Sequence, residues 1–300
     1  MSYLTGHWSF DPLLIIVIAL VAWHEIGLAR LARRSDPERT RQRRHRSLAF
    51  YGGLAVLLIA VESPINYWSY DYFFMHMVQH LLLMFAAPTL VAAGAPWEGL
   101  LAGLSGEAVV MRGGWSGPLR TIGGWLVRPW VAVALFNLAM LAWHIPAPFD
   151  LAENNQAVHI WLMDLSFFVA GVLFWLQFIP SPPFRMRMPP LSQALAIVGT
   201  NIVMWILAMS MGILSRGSWY PVYNHIPGVT LPPFADQQIG AGILWVCGDF
   251  WAIPCLVVVV RRIIAEEGSV GSALERILGR AGTPPGGASA GSGWASRAGR

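Results

Sequence analysis

Long runs of apolar residues recur along the chain, separated by short polar or glycine-rich segments. Helices crossing the hydrocarbon core of a bilayer, about 30 Å thick, need about 20 such residues. We count seven runs, at residues 12–31, 48–61, 73–95, 130–143, 158–179, 191–214 and 239–264. The pattern predicts an all-α, polytopic integral membrane protein with seven transmembrane helices in one bundle.

Composition supports a membrane protein. Hydrophobic residues make up 55% of the chain and charged residues 12%, whereas soluble domains carry about 25% charged residues. The formal net charge of +4 comes largely from arginines between residues 33 and 46. A juxtamembrane basic cluster of this kind is typical of proteins that contact anionic lipid head groups. We therefore expect the lipid bilayer as a partner, and no nucleic acid.

The arginines indicate the orientation of the chain. They are concentrated after the first, third and fifth apolar runs, at residues 33–46, 112–128 and 185–187, and at the end of the seventh run, at residues 261–262. Loops rich in Arg stay on the cytoplasmic side. We therefore place the N-terminus outside and the C-terminus in the cytoplasm.

The chain divides into a transmembrane domain at residues 1–265 and a tail at residues 266–300. The tail is rich in Gly, Ser, Ala and Pro and is predicted to be a disordered cytoplasmic segment. A glycine-rich stretch between the third and fourth runs allows a short interfacial helix near residues 100–111.

With this orientation, six of the eight histidines fall near the outer ends of the predicted helices. They are His7, His76, His80, His144, His159 and His225. Ionisable side chains in membrane segments cost on the order of 3 kcal/mol each at the bilayer centre. A group of imidazoles at one depth suggests a metal site.

The third run opens with two histidines one helical turn apart, His76 and His80. This spacing, about 6 Å along a helix axis, lets one helix offer two nitrogens to one ion. Met77 and Met84 lie beside them, and thioethers with imidazoles suit Cu(I). The alternative is that the spacing arises by chance and the methionines are ordinary core residues.

Two further histidines are predicted at the same level. His144 ends the fourth run just before Pro146, and His159 opens the fifth run. Three helices could thus present four imidazoles to one outer cavity. Each of the two, taken alone, could instead be an interfacial histidine bonded to water or lipid phosphate.

Weaker ligand candidates are Asp164 in the fifth run and Cys247 in the seventh. A carboxylate in the membrane, such as that of Asp164 or Asp249, can orient a ligand histidine through the second ring nitrogen. The acidic residues of the outer loops and helix ends could do the same or could simply be solvated; they are Glu62, Asp71, Asp150 and Asp236. Buried thiols are more often small hydrophobic residues than ligands. We see no serine–histidine–acid arrangement, phosphate-binding loop or zinc-protease motif, and we expect no enzyme activity.

Several motifs occur in a recognisable order. They are H-M-V-Q-H at residues 76–80, W-H-I-P-A-P-F-D at 143–150, G-V-L-F-W at 171–175, Y-P-V-Y at 220–223 and D-Q-Q-I-G-A-G-I-L-W at 236–245. Together they resemble the CtaG family of bacterial cytochrome c oxidase assembly factors, in its multi-helix membrane form.

The resemblance implies a seven-helix protein of the bacterial plasma (inner) membrane that helps haem–copper oxidase mature. It implies copper as the bound metal, with an oxidase subunit and a copper donor protein as partners. The family's histidines correspond to His76, His80, His144 and His159. It also implies a further histidine early in the fifth helix, where this chain has Asp164.

Our hypothesis is a copper-binding assembly factor that holds copper, as Cu(I), near the outer surface and passes it to an oxidase subunit. One alternative is a haem-binding or quinone-linked redox membrane protein, in which the histidines are axial ligands. Another is a metal-free scaffold for oxidase subunits, in which the histidines are structural.

Overall fold

The computed structural model describes residues 6–104, 117–184, 186, 188–267 and 271. Across these residues the chain folds into helices joined by short connections. The first half contains α1 (Pro12–Ala32), α2 (Pro37–Glu62), α3 (Pro64–Ser69), α4 (Phe73–Gly94) and α5 (Trp97–Gly103). The second half contains α6 (Gly117–Leu126), α7 (Pro129–Trp143), α8 (Pro146–Glu153), α9 (Gln156–Trp175), α10 (Pro190–Leu214) and α11 (Pro233–Glu267).

The all-α, multi-pass membrane class is confirmed. Six helices within the described part of the chain are long and apolar enough to cross a membrane. The short helices α7 and α8 meet at an angle of 75°, and they pass the same test together. The number of candidate spans is therefore six, or seven if this bent pair crosses as one unit.

The second span begins earlier than the hydrophobic pattern predicts. Residues 37–47, which we expected in a loop, form the first turns of α2. Asp36 caps this helix by accepting a hydrogen bond from the Arg39 amide, and Pro37 occupies the first helical position. The loop prediction was wrong here because it depended on hydropathy alone, whereas arginine is a good helix former.

Helix α8 was not anticipated. Pro146 ends the preceding helix as expected, but it also starts a new one, since proline is favoured at the first helical position. Phe149, Ala152 and Glu153 share the buried face of α8. This short helix therefore directs an acidic side chain into the bundle.

Two predictions fall partly outside the described residues. The interfacial helix expected near residues 100–111 corresponds to α5 up to Gly103, and residues 105–116 lie outside the description. The predicted disordered tail also lies almost entirely outside it, from residue 268 onward apart from residue 271.

The core is a continuous layer of buried aliphatic, aromatic and methionine side chains between the helices. Helix α10 packs along α11, α2 packs against the second half of α4, and α5 packs on α1. Helices α4 and α9 each contain a π-helical turn, at Leu82–Ala86 and His159–Asp164. Such wide turns are frequent at functional sites, and the second one carries two of the candidate ligands.

Candidate metal centre

Helix α4 is fixed at its N-terminal end by a carboxylate from the last span. Asp236 accepts hydrogen bonds from the amides of Phe73 (2.7 Å) and Phe74 (2.9 Å). The first amides of a helix have no partner within the helix, so this side chain caps α4 from outside. It sets the height of the helix that carries His76 and His80.

Three buried side chains from α4, α8 and α9 converge on one point. The Nδ1 atom of His76 lies 3.1 Å from Glu153 Oε1, and the Nδ1 atom of His159 lies 3.0 Å from the same oxygen. Both histidines are 0% exposed. Among the described residues, these three form a group whose candidate ligand atoms all lie within 4.8 Å of one another.

The donor atoms of this group fit a metal site. The two Nδ1 atoms and Glu153 Oε1 are buried, and none of them has a partner with hydrogen-bond geometry. Buried polar atoms without partners cost about 1–3 kcal/mol each. Two imidazoles and a carboxylate are a donor set used for Zn, Cu and Fe ions. The residues present therefore fit a transition metal.

His80 and His144 continue the cluster inward from His76. The ring centroids of His76 and His80 are 4.0 Å apart, and those of His80 and His144 are 5.7 Å apart. Both ring nitrogens of His80 are buried without a hydrogen-bond partner. The four predicted histidines thus form one chain of contacts, although His80 and His144 are not members of the convergent group. Their role as ligands stays a prediction.

Polar side chains surround the second nitrogen of His159. Its Nε2 atom lies 3.4 Å from Gln79 Oε1 and 3.7 Å from Asp164 Oδ1. The Gln79 amide group in turn donates to Asn66 Oδ1 and to the Ala60 carbonyl. Asp164, which we proposed as a weaker ligand, therefore faces the side of His159 that points away from Glu153. Carboxylates in this position orient ligand histidines.

Aromatic rings pack against the cluster. Phe149 packs on His76 with ring centroids 4.7 Å apart, and Tyr220 packs on Phe149 at 4.1 Å. Tyr70 covers His159 at 4.8 Å. Burial raises the pKa of the Tyr70 hydroxyl, which therefore stays neutral. The cover excludes water from the candidate ligands.

A tyrosine from the segment before α11 lies beside Glu153. The Tyr223 hydroxyl donates to the Ser69 carbonyl at 2.7 Å and lies 3.4 Å from Glu153 Oε2. Burial raises the pKa of Tyr223, which therefore remains a hydrogen-bond donor. One carboxylate oxygen thus faces the histidines while the other faces this hydroxyl.

Other predicted residues lie elsewhere. His7 stacks on Tyr67 and is exposed, as is His225. Cys247 and Cys255 are free and line an apolar groove beside Phe85 and Trp251. Met84 is buried in the core. The structure gives none of these side chains a contact with the convergent group.

The sequence analysis missed Glu153 and Gln79. Glu153 was not among the acidic residues that we considered, because α8 was not anticipated. Its spacing from Phe149 and Ala152 is a helical signal that could have indicated a buried face. Gln79 lies between the two histidines of the H-M-V-Q-H motif, and its spacing of three residues from His76 is a signal that could have placed it on the same helix face.

The chain is similar to two curated proteins along most of its length. The chain is 24% identical over 278 residues to an uncharacterized protein of Mycobacterium bovis and, to the same extent, to one of Mycobacterium tuberculosis. The match covers 90% of this chain but 41% of each relative, so the chain spans less than half the length of these curated relatives. No solved structure matches.

The family comparison is more specific. The model of the cytochrome c oxidase caa3 assembly factor family (Caa3_CtaG) matches residues 22–266. This range includes all four histidines of the cluster, Glu153 and the motifs from which the resemblance was identified. It covers well over half of the chain. The protein, with its buried histidine cluster, therefore belongs to the family of cytochrome c oxidase caa3 assembly factors.

Proposed function

We propose that this assembly factor binds copper at the buried histidine cluster and passes it to a subunit of a haem–copper oxidase. The observation that carries the proposal is the buried chain of four contacting histidines, in which His76 and His159 converge on Glu153. The contact distances of 3.0 and 3.1 Å to Glu153 are close to the roughly 3 Å that separates neighbouring ligands on one metal ion. Copper is the ion expected for a protein that helps to assemble a haem–copper oxidase.

The proposal includes a topology. Seven spans, with α7 and α8 crossing as one unit, place the N-terminus outside and the C-terminus in the cytoplasm of a bacterial plasma membrane. The basic residues support this orientation. Arg30 donates to the carbonyls of Ala102 and Gly103, and Arg43 pairs with Glu98 at 2.9 Å. These contacts lie near the C-terminal ends of α1 and α4, whereas His76 lies near the N-terminal end of α4.

The cluster suits transfer rather than catalysis. A copper donor protein on the outer side would load the site, and the oxidase subunit would remove the ion. Carboxylate and imidazole ligands release copper more readily than a thiolate set. The proposal gives the protein no catalytic step, and the aromatic cover of Phe149, Tyr220 and Tyr70 must move for the ion to enter.

Metal analysis of the full-length, detergent-purified protein tests copper binding. The wild type, loaded with Cu(I) and passed through a desalting column, is expected to retain copper. The double variant His76→Ala, His80→Ala, which removes two contacting histidines from the middle of the cluster, is expected to lose most of it. His24→Ala is the matched control, because His24 is also buried (2% exposed) but binds the Tyr51 hydroxyl in another part of the bundle. Equal retention by all three proteins would exclude the cluster as the copper site.

The same preparations separate the alternatives. A Soret band in the purified wild type that disappears in the double variant would favour haem ligation instead. Oxidase activity is then measured in cells whose own gene is replaced by each variant. If the double variant binds no copper yet supports full oxidase activity, the histidines do not act in assembly and the scaffold alternative is favoured.

A further inference from the structure

The buried histidines divide into two groups by the chemistry of the atoms they face. In the outer group, defined as His76, Glu153 and His159, both imidazoles point at a carboxylate oxygen. In the inner group, defined as Met77, His80 and His144, an imidazole points at a thioether sulfur. The two groups share helix α4. A carboxylate is a hard donor and a thioether a soft one, so the groups favour different ions.

The protonation of His144 is set by its own helix. Its Nδ1 atom lies 2.6 Å from the Met140 carbonyl, and a carbonyl oxygen accepts hydrogen bonds but does not donate them. Nδ1 therefore carries the proton, and Nε2 of the neutral ring carries a lone pair. This hydrogen bond fixes the ring with Nε2 directed away from α7.

The free nitrogen of His144 faces sulfur. Nε2 lies 3.5 Å from Met77 Sδ. Neither atom carries a hydrogen in the neutral ring, so two lone pairs face each other in a site where both residues are almost fully buried, at 3% and 1% exposed. An arrangement of this kind is stabilised by a soft cation between the two atoms.

The separation of these atoms fits one shared ion. At bond lengths of about 2.0 Å to nitrogen and 2.3 Å to sulfur, donors 3.5 Å apart subtend an angle of roughly 110°. This is close to the tetrahedral value. Rearrangement of the backbone is not needed for Met77 and His144 to bind the same ion.

His80 supplies a third donor. Its ring lies 5.7 Å from the His144 ring, and neither of its buried nitrogens has a hydrogen-bond partner. His80 follows Met77 by three residues, so the two side chains lie on neighbouring positions of one helix face. Phe167 packs on the other side of the His80 ring at 4.3 Å and limits its movement.

We propose that Met77, His80 and His144 form a separate soft site for Cu(I), and that the outer group of His76, Glu153 and His159 binds a divalent ion such as Zn(II). This inference rests on the proposed function and refines it, because the inner group then holds the copper that is passed to the oxidase subunit. The His76–His80 contact, with ring centroids 4.0 Å apart, places the two sites next to each other.

Separate titrations of the two ions test the division. The full-length protein in detergent is titrated with Cu(I) under anaerobic conditions against a chromophoric Cu(I) chelator, and with Co(II) as a visible probe of the divalent site. Met77→Leu removes the sulfur at nearly constant volume and is expected to weaken Cu(I) binding at least tenfold, with Co(II) binding changed less than twofold. Met84→Leu, a buried methionine seven residues further along α4, is the matched control and is expected to change neither.

A second variant tests the outer group, where the loss of binding is expected for Co(II) and not for Cu(I). Glu153→Gln is expected to weaken Co(II) binding at least tenfold and Cu(I) binding less than twofold. Its control is Glu62→Gln, because Glu62 is also a buried glutamate (3% exposed) but it binds Ser9 and the Asp11 amide. The proposal predicts that one protein binds both ions at the same time.

X-ray absorption at the copper edge gives a measurement that does not depend on whether the variants fold. Cu(I) in the wild type is expected to show one sulfur neighbour near 2.3 Å. A copper shell of nitrogen and oxygen alone would overturn the inference while leaving copper binding by the cluster intact. The same holds if Glu153→Gln abolishes Cu(I) binding and Met77→Leu does not. If the wild type binds no Cu(I), both the inference and the proposed function are wrong.

Discussion

The carboxylate of Asp236 lies 2.7 Å from the amide nitrogen of Phe73, although 163 residues separate them in sequence. It also accepts from the next amide, that of Phe74. Helix α4, which carries two of the four histidines, is therefore capped by helix α11. The relationship connects the last span to the candidate metal centre and leads to a first prediction.

Replacement of Asp236 by alanine should lower both the stability of the protein and its affinity for copper. The loss of an N-terminal cap costs about 1–2 kcal/mol, and Asp236 is buried at 3% exposed. Thermal unfolding in detergent and the copper titration measure the two effects. Asp71→Ala, a partly exposed acidic residue near the same end of α4, is the control and should have little effect. Unchanged copper affinity in Asp236→Ala would show that the cap does not position the histidines.

Tyr223 supports a second prediction, because its hydroxyl connects Glu153 to the Ser69 carbonyl. Tyr223→Phe keeps the ring and removes that hydroxyl. We expect a loss of about 1 kcal/mol in stability and weaker Co(II) binding, by about tenfold, since residues that hold a metal ligand typically contribute this much. Tyr67→Phe, a change at an exposed tyrosine (44%), should alter neither. A stability loss without a change in Co(II) affinity would make Tyr223 a purely structural residue.

The hydrophobic pattern predicted the spans well and their ends less well. Apolar runs are determined by contact with lipid, and this physical constraint acts on every residue of a span. The start of α2 depended instead on the Asp36 cap and on the helix propensity of arginine. Hydropathy does not measure either of these.

The candidate site shows the same contrast. The histidines could be selected because imidazoles are costly in a membrane and because orientation placed them at one level. Glu153 could not be selected in this way. Its burial depends on the 75° bend between α7 and α8, which turns the short helix inward. The division into histidines that face the Met77 sulfur and histidines that face the Glu153 carboxylate could not be predicted either, because it depends on side-chain rotamers and on the packing of four separate helices.

A third prediction concerns a polar contact between the last two spans. Asp249 of α11 accepts hydrogen bonds from Asn201 Nδ2 at 3.0 Å and from Trp205 Nε1 at 3.1 Å. Interhelical hydrogen bonds in membrane proteins contribute about 0.6 kcal/mol on average and up to about 1.7 kcal/mol. A double-mutant cycle of Asn201→Ala and Asp249→Ala should therefore give a coupling energy of about 1 kcal/mol in detergent unfolding. Additive single effects would show that the contact contributes nothing to stability.

The last prediction concerns the close packing of α1 on α5. A Cβ atom added to Gly27 would lie 1.8 Å from the carbonyl oxygen of Gly99 and 2.8 Å from the amide nitrogen of Gly103, so the two helices cannot keep their present separation. Gly27→Ala should therefore lower the stability by about 1–3 kcal/mol, as overpacking does. Gly199→Ala is the matched control, because a Cβ there meets nothing within 4 Å, and replacing a glycine inside a helix is expected to stabilise it by up to about 1 kcal/mol. Opposite shifts in the thermal unfolding midpoints of the two variants are the expected result. If both midpoints rise, α1 and α5 are not held together as closely as the glycine contacts indicate.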